Sequence, residues 1–377
     1  MTIQATEMAL LAARRSGRGY REWLARRAEA VVIPLGAILL GMAAFSLFLV
    51  LIGRSPSQFL ELMWRGGFGS WFSLQNALLR GSPLLLAALC VALPARLGLV
   101  VIGGEGAIAL GGVAAAASGV TLAASAPPVL VWIAMALAGA AIGGLWIGMV
   151  GALRHYRAVN ETIASLLMAY IGIALMNHLV EGPLRDPAGL NKPSTAPLPK
   201  ADMIGNIPGM DVHWGLAIGI VACIASWVLI EKTRFGFAAR IAGGNVRAAQ
   251  IQGLAVGPLI VGFSALAGGC AGLAGMIEVA AVQGSANASL AAGYGYTGIL
   301  VAFLARHNPL AIIPVSIFLG GIYAAGGLIQ RRMDLPDATV LVLQGMLFIV
   351  ILVSDTLYGR IRVLNPDLWR APEGGRS

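Results

Sequence analysis

Residues 232–257 read KTRFGFAARIAGGNVRAAQIQGLAVG, and this stretch decides how the rest of the chain is laid out. A long apolar run lies on each side of it. It carries Lys232, Arg234, Arg240 and Arg247 and no acidic residue. It is too polar to sit in lipid, yet it reads as helix. Gly243 and Gly244 predict a break in the backbone, and Asn245 is the expected N-cap. Val246 to Gln252 then form a short helix closed by Gly253. A short basic helix between two membrane spans suits docking on a soluble partner. The plainer alternative is an ordinary cytoplasmic loop, positive because such loops are positive.

The composition fits that setting. The chain is 58% hydrophobic and only 11% charged, with a mean hydropathy of +0.81. Soluble domains carry about a quarter charged residues. Several apolar runs near membrane-spanning length make this an all-α, polytopic membrane helical bundle embedded in lipid. Its 50 glycines suit close helix–helix approach. Gly139/Gly143, Gly144/Gly148 and Gly268/Gly272 have the required spacing. The net charge of +9 does not signal nucleic acid. The basic residues are scattered over loops and termini and form no face interleaved with aromatics. Cys90, Cys223 and Cys270 all fall inside apolar runs, so neither a disulfide framework nor a metal site is supported.

The apolar pattern predicts spans at about 31–52, 73–94, 98–120, 128–152, 162–181, 214–231, 257–282, 295–306, 309–329 and 338–357. That gives about ten transmembrane helices with both termini cytoplasmic. Residues 1–30 form a cytoplasmic N-terminal segment, 31–358 the membrane domain and 359–377 a cytoplasmic tail. The first span is retained rather than cleaved as a signal. The third holds Gly103-Gly104 and is a candidate broken helix. The eighth is short for a full crossing and is a candidate half-span. The cytoplasmic segments, including the loop 232–256, hold 18 of the 26 Lys and Arg residues. The outer segments hold Arg54, Arg65, Arg80, Arg185, Lys192, Lys200, Arg331 and Arg332. The bias supports the assignment, and Arg331-Arg332 goes against it. The long external loop, 181–213, contains Pro183, Pro187, Pro193, Pro197, Pro199 and Pro208, which exclude a long helix.

Enzyme motifs are missing. None of the three lysines follows a P-loop pattern, and no G-x-S-x-G elbow or H-E-x-x-H pair occurs. The chain is therefore read as a non-enzyme that needs no cofactor. Polar residues inside spans are few and face the bundle interior or a cavity by default. The candidates for a substrate pathway are Asn76, Glu105, Asn177, Glu278, Gln283, Tyr294 and Tyr296. For the amides the alternative is an interhelical hydrogen bond.

Five segments, in order, resemble one family. Gly98 to Gly112 reads GLVVIGGEGAIALGG. Asn160-Glu161-Thr162, Met168 and Tyr170 precede Gly182-Pro183-Leu184-Arg185. Gly244-Asn245, Ala248-Ala249 and Gly253-Leu254 follow, then Gly268 to Gly284, then Gly293 to Asn308. Together, over roughly residues 35–360, they resemble ABC importer permeases of the simple-sugar and nucleoside type. Val101 and Gly103 depart from the family pattern. The resemblance implies an ATP-driven importer of nucleosides or simple sugars in the bacterial inner membrane. It implies alternating access, with a separate ATP-binding subunit holding the coupling helix through Gly244, Asn245, Arg247, Ala248, Ala249 and Gly253. It further implies a second permease, as a heterodimer partner in the nucleoside branch, and a periplasmic or lipid-anchored substrate-binding protein. The rival reading is an ion-coupled secondary transporter using Glu105 or Glu278 as its ion site.

Overall fold

In the computed structural model the chain leaves helical geometry inside an apolar stretch, at residues 98–103, and α4 (Gly104–Leu122) begins only after them. Non-helical backbone at membrane depth needs partners for its polar groups. The first turn of α6 (Glu161–Glu181) supplies them. The Thr162 hydroxyl donates to the Val100 carbonyl at 3.0 Å, and the Ser165 hydroxyl accepts from the Ile102 N–H at 3.0 Å. Gly103 lies so close to the Ser165 carbonyl that a Cβ has no room, which accounts for glycine at this departure from the family pattern.

The structure describes residues 32–189, 192–336 and 338–356. The predicted N-terminal segment 1–30 and tail 359–377 lie outside the described residues. The ten expected spans correspond to α1 (Val32–Leu51), α3 (Trp71–Ala95), α4, α5 (Pro128–Arg157), α6, α7 (Gly215–Lys232), α10 (Val256–Ile277), α11 (Tyr294–Leu304), α12 (Pro309–Met333) and α13 (Ala338–Asp355). Eight of the described helices are long and apolar enough to cross a membrane. Helices α11 and α13 are not among the eight; both belong to the shorter apolar helices. The 11 residues of α11 rise about 16 Å, roughly half of a bilayer core. Helix α11 by itself is shorter than a full crossing requires. Two helices, α2 (Pro56–Gly67) and α8 (Arg234–Gly244), flank the spans, and α9 (Val246–Ile251) follows α8. Among the described residues β pairing is limited to two isolated bridges.

Local signals place the helix starts. Asn160 caps α6 by accepting from Thr162 and Ile163 N–H, and Asn308 caps α12 ahead of Pro309. Ser70 caps α3. Residues 57–340 form one compact unit. Within it α3 is buried on every side from Gly81 to Pro94, as expected of a central helix, and packs against α7, α10, α11 and α12. Helices α5 and α10 meet through Gly139, Gly143, Gly268 and Gly272, where backbone lies directly on backbone. These are two of the three small-residue pairs marked in the sequence. The other unit includes α1 and most of α13, and there Gly41 is pressed against Leu347.

The segment between α6 and α7 is ordered where described. Its chain is sewn to the end of α10 and the turn after it. Thr195 N–H donates to Ala286 O at 2.9 Å, Leu198 N–H to Gly284 O at 2.8 Å and Ile204 N–H to Ala280 O at 2.8 Å. The Thr195 hydroxyl accepts from Ala286 N–H, and the Trp132 indole donates to Asp202 O at 2.7 Å. This segment roofs the end of α10.

Candidate functional site

Helix α10 does not stop at Ile277. Its last turn widens to π-helix over Glu278–Gln283 and closes at Gly284, whose φ is +69°. A widened turn changes where side chains point, and such turns gather at functional sites. Here it aims Glu278 inward, leaving that residue 4% exposed. Gln283 donates to its carboxylate at 3.5 Å. From α3, Arg80 reaches the Tyr294 hydroxyl at 3.4 Å. The rings of Tyr294 and Tyr323 stack with centroids 6.1 Å apart, and the Tyr323 hydroxyl donates to Ala292 O. Four helical segments thus meet at one polar cluster.

Glu105 sits beside it and does a different job. It lies on the first turn of α4 and is 1% exposed. Its Oε1 accepts from Gly293 N–H at 2.6 Å and its Oε2 from Gly295 N–H at 2.5 Å. Helix α11 starts there, so one carboxylate serves the positive ends of two helices. Gly293 takes φ +86°, and a Cβ at Gly295 would collide with the Glu105 backbone. Glu105 therefore joins α4 to α11.

The remaining sequence candidates are dispersed. Asn76 lies one turn before Arg80 and donates to Phe72 O on its own helix. It faces a pocket of about 430 Å³ with Arg65, Arg80, Tyr323 and Arg331. Tyr296 is 38% exposed, and its electrostatic neighbours are Tyr170 and Glu105. Asn177 is half-buried on α6 and makes no side-chain hydrogen bond among the described residues. Neither joins the cluster.

At the other end of α3 lies the basic stretch. Gly243 abuts the Arg96 carbonyl, just past the end of α3. The break predicted at Gly243-Gly244 falls one residue later. Both glycines end α8, and the turn comes at Asn245, with φ −158°. Gly243 is needed for close approach to residue 96, whereas Gly244 faces open space. The predicted short helix is present as α9, with Asn245 Oδ1 accepting from Ala248 N–H at 3.0 Å and Gly253 at φ +76°. Ala249 is buried and anchors α9, while Val246, Arg247, Gln250 and Ile251 are exposed. Ile251 is 83% exposed.

The family described as the branched-chain amino acid transport system / permease component matches residues 73–352. The glucose ABC transporter permease protein of Haloferax volcanii is 32% identical over 341 residues, covering 88% of this chain and 89% of that protein. The chain belongs to this permease family. The guanosine ABC transporter permease protein of Bacillus subtilis is 28% identical, covering 79% of this permease and 86% of that relative. The probable riboflavin import permease protein of Treponema pallidum is 25% identical, with 84% and 83% covered. The permease is a multi-pass membrane subunit of an ABC importer.

Two of its cluster residues were missed in the sequence. Arg80 is assigned there to an outer segment, yet it is the tenth residue of α3, about 13 Å along the helix. An arginine inside an apolar span was the available signal. Tyr323 carries no such signal, because tyrosine is unremarkable in a span.

Proposed function

We propose that the permease moves nucleosides or simple sugars inward by alternating access, driven by a separate ATP-binding subunit seated on α9. The observation that carries this is α9 itself. It is capped by Asn245, carries Arg247, and presents Val246 and Ile251 outward. It lies at the end of α3 remote from the arginine-lined pocket, roughly 22 Å along the helix from Arg80. We place α8 and α9 on the cytoplasmic side of a bacterial inner membrane, with both chain ends there. The pocket and the segment 181–213 then face outward, toward a substrate-binding protein. A second permease completes the pathway.

The relatives named for glucose, guanosine and riboflavin favour neutral, hydroxyl-rich solutes as a class. Glu105 is spent on the start of α11, which argues against a proton or sodium carrier at that position. The test is uptake into proteoliposomes holding the permease, its ATP-binding subunit and binding protein. Uptake should need ATP and persist when proton and sodium gradients are collapsed. Loss on collapse, with ATP kept high, would return the secondary transporter.

A further inference from the structure

We propose that Arg96 is a positioning residue for transport: it ties the turn between α11 and α12 to the end of α8, so that movement of α9 reaches the Glu278 cluster through α11. The proposal rests on the reading of α9 as the seat of the ATP-binding subunit, and it names the connection by which that seat acts on the polar interior.

The connection begins at α8, which runs into α9 through Asn245. The last turn of α8 sets Gly243 against the Arg96 carbonyl, and a Cβ at Gly98 would meet the Gly243 carbonyl. Gly98 takes φ +73°, so the chain leaves α3 in a left-handed turn fitted against α8. The side chain of Arg96 serves a different element. Its Nη2 donates to the His307 carbonyl at 3.2 Å. Its electrostatic neighbours are Glu231 and Arg240, which pair at 3.1 Å where α7 gives way to α8. One residue thus touches α8 with its backbone and the α11–α12 turn with its guanidinium.

The turn it holds is costly. Arg306 and His307 take φ +50° and +53° in succession, a conformation that residues with a Cβ resist. Such backbone persists where its surroundings over-determine it. Arg306 N–H donates to Phe303 O at 2.9 Å and His307 N–H to Ala302 O at 2.7 Å. The Arg96 bond is the one of these three that comes from outside the turn, so it can carry a pull into it.

From the turn, α11 rises about 16 Å to its other end. There Glu105 accepts from Gly293 and Gly295 N–H, and Tyr294 meets Arg80 beside Glu278. A helix this short, fastened at both ends, moves as one body. Displacing its lower turn therefore shifts Tyr294 within the cluster.

The test uses proteoliposomes holding the permease, its ATP-binding subunit and binding protein, with uptake and ATP hydrolysis read in one preparation. Arg96 is half-buried at a helix end, where substitution is tolerated better than in the core. In Arg96→Met, hydrolysis should stay within about twofold of wild type while solute moved per ATP falls about fivefold or more. A single N–H serves the His307 carbonyl, so Arg96→Lys should restore most of that ratio. Hydrogen exchange separates transmission from mere bracing. Nucleotide should alter exchange at Gly293 and Gly295 N–H in wild type and in Arg96→Lys, but not in Arg96→Met. A wild-type ratio in Arg96→Met overturns the proposal, and so does an equal fall in Arg96→Lys. So does a nucleotide response that is missing from wild type or survives in Arg96→Met. If Arg96→Met fails to assemble, Arg96 is a folding residue and the proposal falls. Full uptake in a variant carrying Arg247→Glu and Ile251→Asp would instead remove the α9 reading, whatever Arg96→Met does.

Discussion

The carboxylate of Glu105, on the first turn of α4, closes the start of α11 at Gly295. One buried acid thereby fixes where a half-length helix begins. Removing it leaves two N–H groups unsatisfied next to two helix termini. We expect Glu105→Ala to destabilise the permease by about 2–4 kcal/mol and Glu105→Gln by less, since the amide oxygen still accepts. Thermal unfolding in detergent ranks the two. Equal loss in both would mean that charge alone, and not acceptance, matters at this position.

At α9 the side chains divide the labour. Ala249 is buried, so a bulky acid there damages the fold. Arg247 and Ile251 point outward. The pair Arg247→Glu and Ile251→Asp should therefore leave expression and thermal stability near wild type while cutting coupled ATPase activity and uptake about tenfold or more. Unchanged uptake in that double variant would move the ATP-binding subunit off α9.

Arg185, Lys192 and Lys200 are exposed on the segment between α6 and α7. Asp202, an acid of the same segment, is buried at 4% exposure. The exposed charge of this segment is thus more positive than its composition suggests. Reversing the three cations to Glu should raise the binding-protein concentration for half-maximal ATPase stimulation several-fold at low salt, and much less at high salt. An unchanged value at low ionic strength would send docking to another surface.

His213 is 2% exposed, and among the described residues no other side chain or backbone group hydrogen-bonds to its ring nitrogens. Burial pushes its pKa down to about 4. Unfolded histidine titrates near 6.5. Between those values the unfolded chain binds the extra proton, so stability falls as pH drops from about 6.5 toward 4. Above that window His213 contributes no slope. His213→Gln should flatten the dependence of melting temperature on pH between 4 and 6.5, the window set by that depressed pKa. A slope identical to wild type would assign acid sensitivity to other groups.

Much of the fold was legible because lipid imposes simple rules. All ten apolar runs recur as helices, with α5 starting at Pro128 and α12 at Pro309 as expected. Asn245 and Gly253 gave α9 through capping chemistry that acts over a few residues. Helix α2 was missed because its 12 residues mix Glu61 and Arg65 with Trp64, which no hydropathy window registers. The site was legible in part. Glu278, Gln283 and Tyr294 do meet, but their meeting depends on a π-helical turn that no local pattern encodes. Glu105 was rightly marked as unusual. Its partners are backbone N–H groups 188 and 190 residues away, which side-chain chemistry in the sequence cannot announce.

The seam that sews residues 195–204 to 280–286 bears on kinetics. Tearing its four hydrogen bonds and the Trp132–Asp202 bond costs about 1 kcal/mol each. Roughly 5 kcal/mol spent ahead of a conformational step slows it by three to four powers of ten. A transport cycle that displaces Glu278 therefore proceeds fastest with the roof as its passenger. Whatever touches the roof from outside then has a mechanical handle on the acid beneath it.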